Sequence, residues 1–302
     1  MHANALNEAE QRALHESAAV LETPIDENDI GQWLSLILAC VEQAIGLIRD
    51  RRYGSLAGDI NYKADDSPVS QTDRDIERLL RTHFAHCAPA ARVCGEEFGG
   101  DLPVQGVGIA VDPVDGTWAF INAAETATLT LCLYRDGEPV LGCVANPATG
   151  EVAYAGPGIA ARLLQLHFHA AGARAHPLPY RRDVDRPTLV NLHPSRADAE
   201  VQPLLMQAWQ QGLIRNLKST GGSPAWSILD AARGSYTYVN LWRGAASTPY
   251  DLGAALLILR AAGGEAVDLN GLPIKAIGHQ GTFIAAIDAH DRERVAGIIR
   301  ST

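Results

Sequence analysis

The sequence predicts a layered protein of α+β to α/β class, with an antiparallel sheet in its N-terminal half and alternating strands and helices in its C-terminal half. Three observations predict it. Ile30, Trp33, Leu34, Ile37, Leu38, Val41, Ile45 and Ile48 recur at helical spacing. Between residues 126 and 155, short apolar runs are separated by turn residues, as in a β-meander. After residue 188, strand-like runs alternate with amphipathic helical stretches.

Taken in order, residues 1–25 read as a polar extension, and Asn28 and Asp29 are candidate caps for the first helix. A loop from Lys63 to Pro68 leads to a helix starting near Thr72, with Asp73, Asp75 and Glu77 where the helix dipole favours acids. Ala91 to Cys94 reads as a strand ending at Gly95-Glu96-Glu97, and Val107 to Val111 as one ending at Asp112. A short helical turn is expected after Thr117. Thr126–Tyr134, Val140–Ala145 and Val152–Ala155 form the meander, turned by Arg135-Asp136-Gly137-Glu138 and Asn146-Pro147-Ala148-Thr149-Gly150. The charged, aperiodic stretch from Arg181 to Pro187 marks a boundary, giving units of 26–185 and 186–302. Strands then fall at 188–192, 236–240, 265–269 and 282–287, and helices at 197–211, 224–232, 252–262 and 288–299.

The chain has 302 residues, 47% of them hydrophobic and 20% charged, with a net charge of −10. That balance argues against a nucleic-acid or anionic-membrane partner, but not against a phosphorylated small molecule, because bound cations reverse the local sign of an acidic pocket. Five cysteines without C-x-x-C spacing read as buried thiols of a reducing compartment, not as zinc ligands or disulfides. Glu8, Glu10 and Glu16 precede any apolar run, so no secretory signal is expected. Trp33 to Ile48 is interrupted by Glu42 and Gln43 and reads as too short for a bilayer. A cytoplasmic enzyme is the expectation.

The chemistry centres on Asp112-Pro113-Val114-Asp115-Gly116-Thr117. Pro113 disfavours helix at Asp112, which places that carboxylate at a strand end, with Asp115 across the next turn. Two such acids, with the Val114 carbonyl, are oxygen ligands for a hard cation. The Gly116 and Thr117 amides suit a phosphate oxygen. By itself the segment also reads as a capped turn, Asp251 as a helix cap, and Glu96 and Glu97 as solvated loop acids. Their combination at three strand-to-loop junctions favours a metal site.

These segments resemble the inositol monophosphatase family, in a superfamily with fructose-1,6-bisphosphatases and lithium-sensitive nucleotidases. Gly95-Glu96-Glu97, the run from Asp112 to Thr117 with Phe120-Ile121, and the lysine-to-T-x-x-D stretch Lys63 to Asp73 carry the resemblance. So do Asn146-Pro147 with Gly150-Glu151, and Pro249-Tyr250-Asp251-Leu252 with Ala261-Ala262-Gly263-Gly264. The resemblance spans about residues 30 to 300. It implies a layered α-β-α-β-α sandwich and hydrolysis of a small phosphate monoester with Mg²⁺, about two or three ions per site. It also implies lithium sensitivity and a homodimer. Glu96, Asp112, Val114 (through its carbonyl), Asp115 and Asp251 would then hold metal. Asp73, Thr117 and Glu96 would be catalytic, Asp73 and Thr117 by polarising the attacking water, and Gly116 and Thr117 would bind phosphate.

On the substrate side the pattern departs. Gly244 stands where inositol-specific members carry an acid, and Gly221-Gly222-Ser223 replaces G-[ST]-A. Tyr250 replaces a tryptophan, and Trp118-Ala119 a stretch that usually carries asparagine. The Gly-Gly element and Pro249-Tyr250-Asp251 resemble the histidinol-phosphate phosphatase branch, although that branch tends to carry an acid where Ser223 stands. Gly222, Ser223 and Arg243 are the substrate-side candidates, Arg243 for a second anionic group. His167 and His169 alternate but read as surface residues. There is no nucleophile elbow and no Walker loop. A catalytically silent binding protein on this fold would be expected to lose a ligand acid or Thr117, and all are present.

Overall fold

A computed structural model describes residues 8, 10, 19–53, 60–63, 68–166, 174–180, 189–193, 201–220, 222–242 and 246–300. Its helices are α1 (Ile30–Tyr53), α2 (Gln71–Cys87), α3 (Thr117–Ile121), α4 (Val201–Gln210), α5 (Pro224–Ala232), α6 (Pro249–Ala261) and α7 (Ala289–Arg300), after a 3₁₀ turn at Ala19–Glu22. A hairpin pairs β1 (Ile60–Tyr62) with β2 (Pro68–Ser70). A seven-stranded sheet runs in chain order: β3 (Arg92–Gly95), β4 (Val107–Asp115), β5 (Thr128–Arg135), β6 (Glu138–Ala145), β7 (Glu151–Gly156), β8 (Ile159–Gln165) and β9 (Arg174–Pro177). Only the β3–β4 pairing in it is parallel. A second sheet of β10 (Leu189–His193), β11 (Asn216–Ser219), β12 (Thr237–Trp242), β13 (Glu265–Asp268) and β14 (Gly281–Ala286) has the order β11-β10-β12-β14-β13.

The period-2 alternation of strands builds the layers. Leu129, Leu131 and Leu133 of β5 face α1 and α2 in one core. Cys132 and Tyr134, between and beyond them, face α5 and α6 in a second core. The other sheet repeats the device. Tyr238 and Phe283 join that second core, while Val239, Leu241 and Ile284 meet α4 and α7 in a third. The result is helices, sheet, helices, sheet, helices, as the family resemblance implies.

Several elements differ from the expectations. Strand β4 continues through Asp112 to Asp115, with a register shift against β5 between those two residues. Pro113 therefore distorts the strand without ending it. The meander gains β8 and β9, and β11 is a further strand whose Asn-Leu-Lys-Ser sequence offers no alternation to find it by. Helix α6 begins at Pro249, so Asp251 lies at its third residue.

Helix α1 has 24 residues, longer than its apolar run suggested, and by length and composition it could cross a bilayer. Here its apolar residues, from Trp33 to Ile48, are packed in the first core. The five cysteines are buried and none of them forms a disulfide. The stretch 181–187, His167, His169, Gly221, Arg243, Gly244 and most of 1–18 lie outside the described residues.

Candidate active site

Helix α2 sets the first part of the site. Ser70 caps it, and the Asp73 carboxylate accepts from the Ser70 N–H at 3.0 Å and from the Ser70 hydroxyl. Asp73 and Glu77 lie one turn apart on the stripe that also buries Leu80 and Phe84, so both acids point inward. Glu77 is fully buried and accepts from the Glu97 N–H at 2.8 Å, the Phe98 N–H at 3.2 Å and the Arg81 guanidinium at 2.8 Å. It thereby fixes the loop that presents Glu96. A Cβ at Gly95 would stand 2.0 Å from the Glu77 Oε1, so a larger residue there would displace that carboxylate from the loop. Lys63 crosses from the hairpin, its Nζ 2.6 Å from Glu96 and 2.8 Å from Glu97. Burial alone would lower the lysine pKa, but the two glutamates reverse that and hold it charged.

Strand β4 delivers Asp112 and Asp115, both buried. The Asp112 Oδ1 accepts from the Val114 N–H at 3.1 Å. The Asp115 Oδ2 accepts from the Ser223 hydroxyl, from the Ala225 N–H at 3.1 Å and from the Thr128 hydroxyl at 3.5 Å. Gly116 follows in a left-handed turn, φ 88°, where a Cβ would lie 2.6 Å from the Ser223 nitrogen and 2.9 Å from the Gly222 carbonyl carbon. Thr117 places its hydroxyl 3.2 Å from the Val114 carbonyl oxygen and 3.4 Å from the Asp73 Oδ1. Two hydroxyls of β5 seat α6: Tyr134 donates to the Pro249 carbonyl at 2.9 Å and Thr130 to the Tyr250 carbonyl at 3.0 Å. Asp251, whose carboxylate accepts the Thr248 N–H at 2.5 Å, is thus carried to the same end of the large sheet.

The acids feel one another. Burial, then the carboxylates of Glu96, Asp115 and Asp251, push Asp112 far above the usual carboxylate range. Asp115 is raised to about 7 by burial and by Asp251 and Glu96, against the pull of its hydrogen bonds. Burial raises Asp73 and Asp251 to about 6, with Glu96 adding to each. Glu96, Asp112, Asp115 and Asp251 therefore stand close enough to repel one another, with Asp112 and Asp115 on the buried side. As the side chains stand, no three His, Cys, Asp or Glu residues among the described residues form a ready coordination set. Glu96 turns to Lys63, Asp115 to Ser223, and Asp251 to the start of its own helix. The donors are all oxygen and the repulsion is that of crowded anions, which fits a hard divalent cation.

Ser223, expected on the substrate side, is fully buried and spends its hydroxyl on the helix cap and on Asp115, which leaves it no reach to a ligand. Glu77 is read from the sequence only as an acid favoured by the helix dipole, although its spacing of four from Asp73 on an apolar stripe signals that it points the same way. Ser70 carries the Ser-x-x-Asp spacing of a capping box, whereas Thr128 and Arg81 carry no local signal.

Residues 32–301 match the inositol monophosphatase family. The chain belongs to that family. It is accordingly a phosphoric monoester hydrolase. A histidinol-phosphatase of Mycobacterium tuberculosis is 30% identical over 260 residues, 83% of this chain and 92% of the relative. Among solved structures, the extragenic suppressor protein suhB of Bartonella henselae matches with a TM-score of 0.72 at 18% identity, over 89% of this chain and 98% of that one. An IMPase of Thermotoga maritima matches with a TM-score of 0.70 at 21% identity, over 88% and 96%. Both structures support the inositol monophosphatase fold.

Proposed function

We propose that this family member hydrolyses a small phosphate monoester with Mg²⁺, held by Glu96, Asp112, Asp115, Asp251 and the Val114 carbonyl. The observation that carries this reading is the crowding of four carboxylates, Asp112 and Asp115 buried and Glu96 and Asp251 partly so, beside the Asp73–Thr117 pair. Bound there, the cation supplies Lewis acidity and lowers the pKa of a water. The chain's own residues do the rest. Asp73 Oδ1 draws the Thr117 hydroxyl proton, which leaves the Thr117 oxygen lone pairs to orient the attacking water. The Gly116 and Thr117 amides face the phosphate oxygens. Lys63 balances Glu96 and Glu97 and limits the negative charge an anionic ester must approach.

Histidinol phosphate is the first substrate to test, because a histidinol-phosphatase is 30% identical to this chain over 92% of its own length. Phosphate release is to be measured on histidinol phosphate, myo-inositol 1-phosphate, fructose 1,6-bisphosphate and 3′-phosphoadenosine phosphates, with and without Mg²⁺. Metal-dependent turnover of at least one is expected. No metal-dependent release from any would sink the reading.

A further inference from the structure

We propose that Tyr62 and Trp118 form an aromatic wall at the mouth of this site, which selects phosphate monoesters whose alcohol carries a flat π-bearing ring. The proposal rests on the phosphatase reading above and narrows its substrate class.

The two rings come from separate elements, β1 and α3, and meet with centroids 6.2 Å apart at an interplanar angle of 51°. Each is joined in sequence to a site residue. Tyr62 precedes Lys63, the partner of Glu96, and Trp118 follows Thr117, the partner of Asp73. Their backbones therefore adjoin those of the charge-balancing Lys63 and the water-orienting Thr117, which puts the pair at the edge of the site. Both rings are open to solvent, Tyr62 at 61% and Trp118 at 54% exposure. The core does not need them, since Ala119 and Phe120 already bury the inner face of α3. Two large aromatic side chains held together in water next to a reactive site are unfavourable unless something covers them.

A flat ring is the fitting occupant. Aromatic pairs prefer offset or tilted contact, and such contact adds up to about tenfold in affinity beyond area alone. A polyol has no π face to offer.

The test is equilibrium binding by calorimetry to the full chain in Mg²⁺, using phosphonates, which are not hydrolysed. Phenylphosphonate is expected to bind about tenfold more tightly than methylphosphonate or the puckered cyclohexylphosphonate. In Trp118→Ala that ratio should fall towards one, and Trp118→Phe should restore part of it; Tyr62→Ala should lower it less. Equal affinity for the three phosphonates in the unaltered chain would overturn the proposal. So would an unchanged ratio in Trp118→Ala, or an equal loss for all three accompanied by a change of oligomeric state, which would make the pair a contact between two copies. Failure of the phosphatase reading shows separately, as absent phosphate release in a chain that still separates the phosphonates.

Discussion

Asp115 is held by three donors from two places in the chain: Ser223 and Ala225 at the start of α5, and Thr128 on β5. Asp115→Asn keeps the shape and removes the charge, so turnover should fall by at least about a hundredfold while the melting temperature barely drops. Phosphate release and a thermal melt check this together. Ser223→Ala frees Asp115 from one side and should weaken Mg²⁺ binding about 10- to 100-fold, read by calorimetry. Thr117→Ala should lower kcat more than it raises KM, because orienting a water matters chiefly in the transition state. An unchanged kcat would remove Thr117 from the mechanism. At this scale the Asp-Pro-Val-Asp-Gly-Thr run was legible because chemistry-bearing residues are contiguous there. The pairing of Ser223 was not legible, since no local pattern reveals that a cap hydroxyl also meets an aspartate 108 residues away.

Helix α2 does two jobs with one stripe. Its period puts Asp73 beside Thr117 and Glu77 under the Gly95-Glu96-Glu97 loop. Glu77→Ala would orphan two backbone amides and the Arg81 guanidinium, costing about 1–3 kcal/mol in a denaturant melt. It should also loosen Glu96 and reduce metal affinity. Loss of stability with unchanged metal binding would confine Glu77 to a structural role. The helices and the central meander were readable because their periodicities are strong. Strand β11 and the extension of β4 were not, since pairing with neighbours, β10 for one and Thr128 for the other, holds them extended.

Across the whole molecule, burial and mutual repulsion of the acids set a pH dependence. Asp73 and Asp251 titrate at about 6 and Asp115 at about 7 in the fold, above the ordinary 3.8. The folded chain thus binds more protons than the unfolded one across that range, so stability falls as pH rises from about 4 to about 7. With a chelator present, the melting temperature should be higher at pH 5 than at pH 8. Mg²⁺ should restore it at pH 8, by about 2.7 kcal/mol at a hundredfold excess over its dissociation constant. A chelated protein equally stable at both pH values would argue against the crowded-acid description.

The sequence by itself determined the layers, through strand and helix periods, and named the acids, because period and motif are local properties of a chain. Only the tertiary structure decided which acids crowd together, that Glu77 and Ser223 support them, and that Tyr62 meets Trp118. Those outcomes depend on how strands register and helices dock across the sheet, which is a property of contacts between distant segments and not of any window along the chain.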